Sequence, residues 1–159
     1  MTRSAEAFQA ALDELGIDDH ELDAERFGRR AALLAASELL WEREVGPLVT
    51  TSRLEDLLRC SRQAINERVR NRRILALPTD KGDHLYPLWQ FGPTSQPLPG
   101  IAEMLETFAD AVATPWTIAS WLVANEPELD GRAPIEALRS GDTTTALAAA
   151  RHYVERLRR

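Results

Sequence analysis

One spacing constrains this chain more than any other feature. Residues 51–58 set Leu54, Leu57 and Leu58 on one helical side, Arg59-Cys60-Ser61 interrupt, and residues 62–71 resume with Ile65 and Val69 four apart. Two short helices joined this tightly, each with a single apolar edge, bury those edges in one small shared core at a steep crossing. Leu54, Leu57, Leu58, Cys60, Ile65 and Val69 are its candidate members. Thr50, Thr51 and Ser52 supply N-caps for the first helix, and Ser61 supplies one for the second.

The segments around this pair are also readable. Residues 5–15 carry Phe8, Ala11, Leu12 and Leu15 at helical spacing, closed by Gly16, and a longer helix is expected over 23–44, closed by Gly46-Pro47. After the helix pair, Ile74-Leu75-Ala76-Leu77, the polar turn Thr79-Asp80-Lys81-Gly82-Asp83 and His84-Leu85-Tyr86 predict a β-hairpin. Residues 91–100, with Gly92, Pro93, Pro97 and Pro99, read as a linker. Helices are expected over 101–111, 116–124 (after a Thr114-Pro115 start), 133–138 and 143–157. The fold class is therefore mainly α with one small β-hairpin, divided as N-terminal helices (1–47), a central module (48–91) and a C-terminal helical domain (92–159).

Charge separates these three parts. Residues 1–47 carry 5 basic and 11 acidic groups, residues 48–91 carry 8 and 5, and residues 92–159 carry 6 and 9, within a total of −6. A chain with this total is not a general polyanion binder, but its one basic block coincides with the helix pair and hairpin, as a local phosphate-facing patch would. The second helix directs Gln63, Asn66, Glu67 and Arg70 away from the shared core, with Arg62 in its first turn. Arginine pairs with guanine, Gln and Asn with adenine, and Glu accepts from cytosine, so this helix has base-reading chemistry. Its N-terminal N–H groups would also suit a phosphate. Ser61, Arg53, Arg59, Arg68, Arg72, Arg73 and, at the hairpin tip, Lys81 are candidate contacts to the DNA backbone.

On these residues the chain resembles known families. Cys60-Ser61-Arg62-Gln63-Ala64-Ile65-Asn66 resembles the turn and recognition helix of helix-turn-helix repressors. With the following hairpin, the segment is similar to the winged modules of excisionase and MerR-type proteins. Arg59 stands where those families usually have Gly, at a position whose φ is often positive, so keeping that geometry costs strain. In the last third, Trp121-Leu122, Asn125-Glu126-Pro127, Leu129-Asp130-Gly131 and Pro134-Ile135-Glu136-Ala137-Leu138 resemble the toxin-binding domain of Xre/MbcA/ParS antitoxins, with Asp130 in place of a Gly. The same layout is similar to an actinobacterial group of winged DNA-binding proteins. The winged resemblance implies a bacterial transcription regulator that binds double-stranded DNA. The antitoxin resemblance implies in addition a protein partner, an NAD-consuming toxin of the RES type. A homodimer is expected, because a single module of this size has limited affinity.

Other readings are excluded or weakened by what the chain contains. The single cysteine, Cys60, rules out an intrachain disulfide and reads as a packing residue. His20, His84 and His152 show no metal-ligand spacing. Trp116 and Trp121, five apart on an apolar helix, read as core. Asp18-Asp19 and the Glu126/Glu128 pair read as solvated loop carboxylates. No glycine-rich phosphate loop is present. No catalytic constellation emerges, so the expectation is a non-enzyme without a cofactor. With no apolar run of about 18–20 residues and no signal-peptide pattern at the start, a soluble cytoplasmic protein without a membrane partner is expected.

Overall fold

The computed structural model describes residues 43–111 and 113–158, besides Ala10 and Leu40. The expected helices over 5–15 and most of 23–44, with His20 and Asp18-Asp19, lie outside the described residues. The stop at Gly46-Pro47 is seen. Residues 43–45 are helical, and Gly46 takes φ +90°, a conformation open to glycine because it has no Cβ.

Strand β1 (Leu48–Thr50) leads directly into α1 (Thr51–Leu58). Thr50 caps α1 by accepting from the Arg53 N–H. Helix α2 (Arg62–Arg70) follows a three-residue turn and is capped by Ser61. Then come β2 (Leu77–Pro78) and β3 (His84–Pro87), joined by a turn in which the Thr79 N–H bonds the Asp83 carbonyl. A single 3₁₀ turn (Leu88–Gln90) closes this half. The remainder is helical: α3 (Ile101–Thr107), α4 (Pro115–Val123), α5 (Pro134–Arg139) and α6 (Thr143–Leu157). The described protein is thus mainly helical with a small antiparallel sheet in the order β1-β3-β2.

That sheet has one strand more than the hairpin expected from the sequence. β1 pairs with β3 in the register Val49↔Tyr86, while Leu77 lies opposite Leu85 on the other edge. Successive residues of a strand face opposite sides, and here both sides are buried. Val49, Ala76 and Tyr86 join Leu54, Ile65 and Ile74 in a small core with α1 and α2. Leu48, Leu75, Leu77 and Leu85 point the other way, into a large core built mainly from α3–α6. The helix pair therefore rests on one face of the sheet and the C-terminal helices on the other. Ile65 is fully buried at this junction, so Ile65→Ala would cost about 2–5 kcal/mol.

The expected strand over 74–77 shortens to Leu77–Pro78 for a visible reason. The Leu75 N–H and carbonyl are not offered to a neighbouring strand but to the side chain of Gln90, which accepts at 2.7 Å and donates at 3.0 Å. Gln90 is completely buried and donates also to the Pro87 carbonyl. Residues 91–100 are likewise not a free linker. Phe91 bridges to Pro97, the Gly92 N–H bonds the Gln96 carbonyl, and Leu98 is buried. Residues 41–159 accordingly form one compact unit across the boundary expected at 91/92. Trp116 strengthens the connection by donating its indole N–H to the Pro78 carbonyl at 2.9 Å.

Candidate nucleic-acid interface

Helix α2 begins with two of its first-turn donors engaged. The Ser61 hydroxyl accepts from the Ala64 N–H at 3.2 Å, and the Glu55 carboxylate of α1 accepts from the Arg62 N–H at 2.8 Å. Of the N–H groups expected to be open to a phosphate, those of Arg62 and Ala64 are thus taken. The Glu55 carboxylate at that end of the helix also opposes a second anion there. Ser61 caps the helix by accepting through one oxygen lone pair, which leaves its O–H free to donate.

The two helices of the pair end in the same way. Arg59 has φ 49° and Arg72 has φ 52°. After α1, the Arg59 and Cys60 N–H groups both return to the Glu55 carbonyl. After α2, Arg72 N–H bonds the Val69 carbonyl and Arg73 N–H bonds the Arg68 carbonyl. This last pair of bonds is the Schellman ending, whose left-handed residue is usually glycine. The strain expected at Arg59 is present, and Arg72 repeats it.

At 100° per residue, Arg62, Gln63, Asn66 and Arg70 share one side of α2. They line an open groove of about 710 Å³ together with Val69, and its other wall is His84 and Tyr86 of β3. The four polar side chains of α2 make no hydrogen bond or ion pair with described residues, and all are exposed. Glu67 is exposed but falls beside the groove rather than in it. Arg68 lies on the opposite side of the helix, half-buried, with its Nη1 enclosed and unpartnered, so it does not join the face expected for it.

The remaining basic candidates do not line the groove. Arg53, Arg59, Arg73 and Lys81 are exposed and unpaired. Arg72 is exposed too, but its Nη1 lies 3.3 Å from the Glu106 carboxylate of α3. A solvent-exposed pair of this kind contributes about 0–1 kcal/mol and yields readily to a competing anion. His84 and Tyr86 were not singled out from the sequence as site residues. The alternation of β3 was the available signal, since it puts residues 84 and 86 on the same side as the helix pair.

In the C-terminal half, the residues behind the antitoxin resemblance are mostly core: Trp121, Leu122, Leu129, Ile135 and Leu138 are all buried. Asp130 takes φ 56° and Gly131 φ 78°, so Asp130 adopts the left-handed geometry of the glycine it replaces. Trp121 stacks on Tyr153 at 5.2 Å and donates its indole N–H to Glu126 at 2.8 Å. Glu126 is only 8% exposed, which corrects its reading as a solvated carboxylate. Glu128 bonds His152 at 2.7 Å and Arg156 at 2.9 Å. The hydrogen bond from His152, aided by Arg156, holds the Glu128 carboxyl below its ordinary range. Thr145, then Arg132, does the same for Asp142.

Cys60 is half-buried against the small core, and among the described residues no cluster of His, Cys, Asp or Glu is suited to hold a metal. No described helix is long and apolar enough to cross a membrane. No protein-family model matches the chain, and no curated protein matches it. It is similar to the NMR structure of Rv2175c, with a TM-score of 0.60 and 18% identity over 68% of this chain and 81% of that one. At that identity the likeness shows a shared fold.

Proposed function

We propose that this protein binds double-stranded DNA sequence-specifically and regulates transcription, with α2 seated in the major groove. The observation that carries the reading is the unpaired Arg62-Gln63-Asn66-Arg70 face. Four side chains with base-edge chemistry share one side of a helix and have no partner among the described residues. Side chains that only solvated a surface would not need this selection of types on one face. The left-handed arginines support it: residues held in costly backbone conformations mark functional positions. Here each keeps an arginine at the end of a helix of the pair where glycine would be unstrained. Arg53, Arg59, Arg73 and Lys81, with Arg72 released from Glu106, serve as phosphate contacts that set position rather than sequence. A homodimer would bring two such helices to neighbouring half-sites.

The test is fluorescence anisotropy with the DNA upstream of the protein's own gene and a scrambled duplex, each across a salt series. The reading expects tighter, salt-steep binding to the upstream DNA. Gln63→Ala and Asn66→Ala should each reduce discrimination between the two by about 1–3 kcal/mol. Absence of binding to either duplex at low salt would overturn it. Capture of a toxin by residues 92–159 would have to use surface residues other than the buried Trp121, Leu122, Leu129, Ile135 and Leu138.

A further inference from the structure

The strand wall of the α2–β3 groove holds two side chains with no assigned role. His84 is exposed and makes no hydrogen bond or ion pair with described residues. Tyr86 is the opposite case. It is 1% exposed, but it lines the groove, and its hydroxyl is not enclosed and makes no hydrogen bond with described residues. Its O–H is therefore available to a ligand in the groove. The two rings lie 6.5 Å apart on the same side of β3.

The groove lining itself carries charge of one sign. The titratable groups facing His84 are Arg62 and Arg70 from α2 and Tyr86 from its own strand; its partner in β2 is Pro78, and Asp83 precedes it in the turn. No carboxylate lines the groove. An open channel walled by cations and donors suits a chain of anions. A helix seated in a major groove also has a phosphate strand on either side of it. The strand on the hairpin side must pass between helix and hairpin.

We propose that the groove between α2 and β3 seats the sugar-phosphate backbone of one DNA strand, with His84 and Tyr86 donating to its phosphate oxygens. This rests on the DNA-binding reading and adds the strand wall to it. The pair on β3 then holds the backbone against α2, whose Arg62, Gln63, Asn66 and Arg70 form the other wall. A free nucleotide would offer the same phosphate chemistry, so the test separates the two.

The experiment measures the full chain by anisotropy on the upstream and scrambled duplexes, with His84→Gln and Tyr86→Phe beside wild type. His84→Gln should weaken both duplexes by the same factor, about threefold. Tyr86→Phe keeps the ring in the small core, so its unfolding midpoint should stay near wild type while both duplexes bind about tenfold more weakly. If both variants match wild type on both duplexes, the backbone does not run through this groove and the reading of α2 stands. Loss on one duplex alone would mean that the groove reads a base, which also overturns the proposal. If thymidine monophosphate shifts the His84 ring resonances at micromolar concentration while duplex binding ignores both variants, the occupant is a free nucleotide. If wild type binds neither duplex, the DNA reading and this inference fall together.

Discussion

Replacing Arg59 by glycine tests the interface through its backbone. An L-residue in the left-handed region is disfavoured by about 1–2 kcal/mol, and Arg59 sits there at φ 49° and ψ 45°. Glycine is relieved of that cost but loses more backbone entropy on folding, about 0.5–1 kcal/mol. The Arg59 side chain is exposed and unpaired, so no other interaction is lost. Arg59→Gly should therefore stabilise the protein by about 0.5–1 kcal/mol, read in urea as a raised midpoint at unchanged slope. Arg59→Ala removes the same charge but keeps Cβ, and its stability should stay near wild type. Arg72→Gly relieves equal strain but breaks the exposed pair with Glu106, so its net gain should be close to zero. A midpoint for Arg59→Gly that drops by more than ~0.5 kcal/mol would refute the strain argument. In duplex titrations, Arg59→Gly and Arg59→Ala should both weaken all sequences alike and flatten the salt slope by about one. A more stable variant with an unchanged slope would leave the strain argument standing and remove Arg59 from the phosphate contacts.

Three further outcomes follow from particular contacts. Gln90→Leu strips three bonds from Leu75 and Pro87 in a fully buried site; at about 1–3 kcal/mol for each group left unsatisfied, chemical denaturation should show a loss of at least ~3 kcal/mol. Gly100 has φ +91°, and a Cβ there would lie 2.7 Å from Thr143 and 2.8 Å from Leu138; Gly100→Ala should cost more than about 2 kcal/mol in the same assay, because strain and overlap act together. Glu128 and Asp142 have folded pKa values below their ordinary ones, so their stabilisation is complete above the ordinary carboxylate pKa and is lost as pH falls through the depressed values. Denaturation midpoints should drop on acidification below about pH 4, and Glu128→Gln with Asp142→Asn should flatten that limb.

The sequence by itself determined the parts governed by neighbours along the chain. Apolar spacing, the Thr50 and Ser61 caps, the Pro115 start and the turn around Gly82 act within a few residues, and each was legible as a local rule. The left-handed Arg59 belongs here too, since a three-residue turn between steeply crossed helices dictates it whatever side chain is present. Tertiary structure decided what distant residues do to each other. Three residues are too few for β1 to announce itself by alternation, and pairing with β3 from 37 positions away makes it a strand. Gln90 looks like any polar loop residue until the Leu75 backbone meets it inside the protein. Glu55 closes the N-terminus of α2, Glu106 holds Arg72, and β3 lays His84 and Tyr86 opposite the helix. These arrangements depend on packing between segments that share no local pattern, because burial and charge pairing act through space rather than along the chain.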